Sequence, residues 1–162
     1  GWNPEQVLVA GDSAGGGLTA ALMLALRDLE LPLPAGAFLL SPWTDLTGSG
    51  ESIISLAKED FMLDWDNLQE CARDYAGGES LVHPWVSPLF GNFHGIPDTL
   101  ILAGGGEILL DDSVRLAERM KEDGVNVELL VEPHMGHVYP AYAAIPEAQK
   151  AIKIIADYVA KC

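Results

Sequence analysis

Gly11-Asp12-Ser13-Ala14-Gly15-Gly16 places a serine among small residues, directly after the apolar run Gln6-Val7-Leu8-Val9-Ala10. The residues from Ala14 to about Leu29 read as a helix rich in Ala and Leu. A strand, a G-x-S-x-G turn and a helix hold a serine hydroxyl clear of the backbone, where a base can reach it. The chemistry such a residue supports is nucleophilic attack on a carbonyl. Side chains at Gly11 or Gly15 are expected to crowd the turn, so both flanking positions need to be small. A Gly-rich loop feeding a helix can also cradle a phosphate. Here no Gly-Lys-Ser/Thr follows, and no G-x-G-x-x-G register fits.

An activated serine needs a base, and the base needs an orienting carboxylate. There are four histidines. His83 precedes Pro84, and His94 lies in Gly91-Asn92-Phe93-His94-Gly95; both read as loop residues with no strand behind them. His134 and His137 follow the last apolar run, in Glu132-Pro133-His134-Met135-Gly136-His137, where a loop could carry either one to the serine. For the acid, Glu107 follows the run Leu100–Ala103 and the glycines Gly104-Gly105-Gly106. Asp111 and Asp112 read instead as N-caps of the next helix, where a carboxylate accepts backbone N–H bonds. The orienting role therefore falls to Glu107.

These side chains need a scaffold. Apolar runs at Val7–Ala10, Ala37–Leu40, Leu100–Ala103 and Val127–Val131 read as strands. Helical patterns lie at 64–75, with Leu68, Cys71, Ala72 and Tyr75 on one face, and at 112–123, ending at Gly124. A third, at 146–159, opens with Pro146 and lines up Ala148, Ala151, Ile152, Ile155 and Val159. Alternating strands and helices predict an α/β fold, a mostly parallel sheet with helices on both faces. Sites in such sheets form beyond the carboxyl ends of the strands, and Ser13 lies just past the first. Residues 41–97 interrupt the alternation and read as an excursion over the strand ends. Most of its large side chains (Trp43, Phe61, Met62, Trp65, Trp85, Phe90) are expected to fill a second small core.

A 162-residue chain that is 49% hydrophobic can bury one core. Its formal charge of −15 argues against nucleic acid or an anionic membrane as partner. No apolar run approaches the roughly 20 residues that span a bilayer. Two cysteines make no disulfide framework. Cys71 is expected as a packed free thiol and Cys162 at a frayed end, which fits a reducing, cytoplasmic setting. The acidic residues show no metal spacing, and no cofactor is implied. Gly1-Trp2-Asn3-Pro4 reads as the end of a helix and a turn rather than a natural beginning, so a fragment is expected.

Three stretches together, Gly11-Asp12-Ser13-Ala14-Gly15-Gly16, Leu40-Ser41-Pro42-Trp43-Thr44-Asp45-Leu46 and Glu107-Ile108-Leu109-Leu110-Asp111-Asp112, resemble the hormone-sensitive-lipase-like esterases of the α/β-hydrolases. The resemblance runs over nearly the whole chain, to the last helix. It implies Ser13 as nucleophile, Glu107 as acid and His137 as base, since the family's histidine precedes a short hydrophobic or aromatic stretch such as Val138-Tyr139. The order serine, acid, histidine is that of α/β-hydrolases. It also implies the Ala14 backbone N–H as an oxyanion donor, and a carboxylic ester of short or medium acyl chain as substrate. Glu stands where the family usually has Asp, an accepted triad acid.

The family's upstream His-Gly-Gly-Gly loop and N-terminal cap do not occur in this sequence. Losing one oxyanion donor can cost about 10²–10³ in rate. On this reading the chain is the C-terminal part of one catalytic domain, with an apolar sheet edge exposed and the N-terminal portion a separate or unrecorded polypeptide. By analogy with the family, copies would pair through the edge near Val127–Val131 as a homodimer. The rival readings are a non-catalytic small-molecule-binding protein on the same fold, as in plant receptors that lack the histidine, a peptidase relative, and a fragment inactive without its N-terminal half.

Overall fold

The computed structural model describes residues 1 and 3–162. The strands are β1 (Leu8–Asp12), β2 (Gly36–Leu40), β3 (Thr99–Gly104) and β4 (Val127–Glu132). The helices are α1 (Ala14–Asp28), α2 (Ser52–Ser55), α3 (Trp65–Ala76), α4 (Leu110–Glu122) and α5 (Pro146–Val159). The strands pair in parallel in the order β1-β2-β3-β4. Side-chain alternation sends Ala37, Leu39, Ile101 and Val127 to one face, against Met23 and Leu24 of α1 and Leu116 and Met120 of α4. Phe38, Leu40, Leu100 and Leu102 point to the other, against Tyr139 and against Ala151 and Ile155 of α5. Both faces are covered, as a parallel sheet requires, and β3 is buried along its whole length.

The first strand sits further along the chain than its apolar run suggests. Gly11 and Asp12 belong to it, paired with Leu39 and Leu40, because the ladder to β2 continues to the edge of the turn. Ahead of it lies a short 3₁₀ turn, Pro4–Gln6. The expectation for Trp2 lies outside the described residues.

The excursion holds α2 and α3 and builds a third cluster around Trp43, Leu46, Ala72, Ile108 and Leu109, with Leu63, Trp65 and Leu68 against it. Most of the large side chains expected to fill it do not. Trp43 and Trp65 join the cluster, while Phe61, Met62, Trp85 and Phe90 are exposed, Phe61 at 82%. Aliphatic side chains fill the space instead. Cys71 is likewise exposed rather than packed. The inward stripe of α3 runs Trp65, Leu68, Ala72, Ala76, and Cys71 and Tyr75 fall to its flank.

Candidate active site

Ser13 forms the N-cap of α1 with φ 51° and ψ −123°, a strained conformation for a residue with a side chain. The backbone around it accounts for that strain. Its N–H donates to the Leu40 carbonyl at 2.9 Å, and its own carbonyl accepts from Trp43 N at 2.9 Å and Gly17 N at 3.1 Å. The glycine requirement falls partly elsewhere than the sequence suggests. A Cβ at Gly11 would lie 2.1 Å from the Gly15 carbonyl oxygen, and one at Gly17 1.9 Å from the Trp43 oxygen. A Cβ at Gly15 would meet nothing within 4 Å, so Gly15 is not held to glycine by crowding. Ala14 opens α1, where the first N–H groups have no intrahelical acceptor.

The loop after β3 places Glu107 in full burial. One carboxylate oxygen, Oε1, accepts from Gly104 N at 3.1 Å, and the other, Oε2, accepts from His137 Nδ1 at 2.5 Å. A charge-assisted hydrogen bond of that length fixes ring orientation and tautomer. The other ring nitrogen, Nε2, is buried and has no partner among the described residues. That leaves an acceptor available for a proton. The acid loop and the histidine loop are tied at two further points, Gly105 N to Glu132 O and Gly106 N to Met135 O, both at 2.9 Å.

The other histidines lie apart from this pair. His134, three residues before His137, is exposed with φ 60°. His83 Nδ1 accepts from Trp85 N in the excursion, and His94 is exposed.

Asp111 and Asp112 do not cap α4, whose N-cap is Leu109. Both lie in its first turn and reach outward to the excursion. Asp112 Oδ2 accepts from Thr44 N and Asp45 N, each at 2.7 Å, and Asp111 Oδ2 accepts from Ser52 N at 2.9 Å. Burial pushes the Asp112 carboxyl up to about 7, against the pull of those two N–H bonds. Asp45, also fully buried, behaves oppositely. Burial alone would raise its pKa, but hydrogen bonds from the Ser49 and Thr47 hydroxyls and backbones together hold it below the usual carboxylate value. Arg115 adds an ion pair at 3.1 Å. Asp112 and Arg115 of α4 thus anchor the 43–49 segment, a role with no local signature because the partners are more than 60 residues away in the chain. Beside Ala14, a cavity of about 130 Å³ is lined by Gly17, Leu18, Trp43, Leu46 and Tyr75, with Cys71 and Val86 completing it.

A strand-turn-helix serine, a buried carboxylate and a histidine beyond the carboxyl ends of the parallel strands β1, β3 and β4 define an α/β-hydrolase architecture. The alpha/beta hydrolase fold profile matches residues 1–141, and the chain belongs to that family. An acetyl-hydrolase from Streptomyces hygroscopicus is 38% identical over 98% of this chain and 54% of its own length. An esterase from Acinetobacter venetianus is 36% identical over 98% and 53%. Among solved structures, an esterase from the bacterial hormone-sensitive lipase family superposes with a TM-score of 0.96 at 39% identity, over 99% of this chain and 55% of that one. A hormone-sensitive-lipase homologue from a metagenome library gives a TM-score of 0.94 at 42% identity, over 98% and 55%. The resemblance to hormone-sensitive-lipase-like esterases therefore holds in sequence and in fold. The chain spans about half the length of these relatives. Among the described residues, no helix is long and apolar enough to cross a membrane.

Proposed function

We propose that the intact protein is a serine carboxylesterase that hydrolyses short- to medium-chain carboxylic esters through an acyl-enzyme. The observation that carries this reading is the His137 ring, held by buried Glu107 through Nδ1 while Nε2 is left without a partner. His137 Nε2 takes the Ser13 proton as the hydroxyl oxygen attacks the ester carbonyl. Glu107 keeps the tautomer and stabilises the imidazolium. The Ala14 N–H, together with donors outside this chain, takes up the negative charge that develops on the carbonyl oxygen. Collapse of the tetrahedral species breaks the bond to the alkoxy oxygen, and His137 returns the proton to the leaving alcohol. Water, deprotonated by the same nitrogen, then attacks the acyl-serine; the carboxylic acid leaves and the proton returns to Ser13.

The substrate range rests on the cavity beside Ala14. Its volume of about 130 Å³ is close to that of an engineered apolar cavity of roughly 150 Å³ that admits benzene. A cavity of that size, lined mostly by apolar side chains and next to the turn that carries Ser13, suits a small acyl group. The name of one relative, acetyl-hydrolase, supports the short end of that range. Turnover of p-nitrophenyl esters by the intact protein tests the reading. Acetate and butyrate esters are expected to be cleaved well, decanoate poorly, and Ser13→Ala to abolish all three. Undiminished turnover by Ser13→Ala would overturn it.

A further inference from the structure

We infer that Ser41 is a positioning residue for His137, acting through the hydrogen bond from the Val138 N–H to its hydroxyl; the inference rests on the reading of His137 as the base. Ser41 is fully buried and lies one residue beyond β2. Its Oγ accepts from Val138 N at 3.0 Å, 97 residues away in the chain and next to His137. Both partners are strained. Ser41 has φ 46° and Val138 has φ 53°. Left-handed backbone is unfavourable for any residue with a Cβ and most unfavourable for a β-branched one. Ser41 also precedes Pro42, and the residue before a proline is normally driven to extended backbone. Two residues strained in this way, and bonded to each other across two loops, keep their conformations only because the surroundings impose them.

The rest of the Ser41-Pro42-Trp43 segment shows what that bond connects. Ser41 N donates to Leu102 O at 2.7 Å, fixing the segment to the central strand β3. Two residues on, Trp43 N donates to the carbonyl of Ser13 itself. The tripeptide therefore holds the nucleophile's backbone at one end and the histidine's backbone at the other. Glu107 sets the rotation of the imidazole, but a bond to a side chain cannot set where the loop's backbone stands relative to Ser13. Gly105 N and Gly106 N tie the histidine loop to the acid loop; the Ser41 hydroxyl ties it to the segment that also holds the Ser13 backbone. An error of about 1 Å in such a distance can cost about 10² in rate.

The test compares Ser41→Ala and Ser41→Gly in the intact protein. Both remove the hydroxyl, but Gly also relieves the strain at φ 46°, so the two differ in stability while sharing the positioning defect. Turnover is normalised to active sites titrated with a fluorophosphonate, which removes any effect of misfolded material. The inference predicts kcat reduced about tenfold to a hundredfold in both variants, with KM within about twofold of wild type. It also predicts that the low-field proton resonance of the His137–Glu107 hydrogen bond shifts or broadens in both, a readout independent of turnover. Wild-type kcat per titrated site and an unmoved resonance would overturn it and reduce Ser41 to a buried hydroxyl that satisfies an N–H. A wild-type protein inert to esters would instead overturn the proposed function, and the resonance would still decide the role of Ser41.

Discussion

Glu107 is the side chain on which the electrostatics of the candidate site turn. It is fully buried, yet each carboxylate oxygen has a donor, Gly104 N on one and His137 Nδ1 on the other. A carboxylate so placed faces the imidazole nitrogen directly, where it can hold the ring's tautomer and oppose the charge of an imidazolium. Glu107→Gln keeps the shape and removes the charge. It should leave the fold intact and lower kcat by about 10³–10⁴, by comparison with the same change in a serine protease triad; a loss smaller than tenfold in steady-state ester hydrolysis would show that Glu107 does not serve this role. Ser13, Glu107 and His137 could be picked out from their types and from their places after apolar runs, with a family resemblance to separate His137 from His134. Ser41 could not. Its partner is a backbone N–H 97 residues away, and neither residue type predicts that bond or the positive φ values that accompany it.

At the level of elements, the contact between α1 and the segment after β2 decides how closely the elbow can approach Trp43. Gly17→Ala would place a Cβ 1.9 Å from the Trp43 carbonyl oxygen, a backbone atom that cannot move aside. Overpacking of this kind costs about 1–3 kcal/mol or more, whereas Gly15→Ala meets nothing within 4 Å and should be neutral or gain up to about 1 kcal/mol. Chemical denaturation of the two variants side by side checks the contrast, and equal losses would contradict it. The contact between α4 and the same segment has a pH signature. Burial raises the Asp112 carboxyl from 3.8 to about 7, so the folded protein holds that proton more tightly than the unfolded chain does. The resulting contribution to stability is fully present below about pH 4 and is lost as pH rises through about 7. Between pH 5 and pH 8 the wild type should therefore lose more stability than Asp112→Asn, which has no such proton. Parallel loss in thermal melts at the two pH values would contradict this. Strand and helix positions were legible because apolar periodicity is local. The aspartate tethers were misread as caps because a capping residue and a long-range anchor look alike at the start of a helix.

Across the whole molecule, four parallel strands in sequential order bring the segments that follow them to one end of the sheet, and the candidate residues lie on three of these. This much followed from the alternation of strands and helices. What the excursion of residues 41–97 does was not legible, because its clusters and tethers pair residues far apart in the chain. It supplies most of the lining of the cavity beside Ala14 and the Ser41-Pro42-Trp43 link between the backbones of Ser13 and Val138. Val7, just before β1, and Leu18, Leu22, Leu29 and Leu31, along and just after α1, are exposed. The chain spans about half the length of the relatives it matches, so the decisive experiment uses the intact protein. Treat it with a fluorophosphonate and measure the mass of the polypeptide carrying this sequence, beside the Ser13→Ala variant. The account predicts one adduct per wild-type chain, located on Ser13, and none on the variant. An intact, folded wild type that takes up no adduct, or a variant labelled as fully as wild type, would contradict the claim that Ser13 is an activated nucleophile.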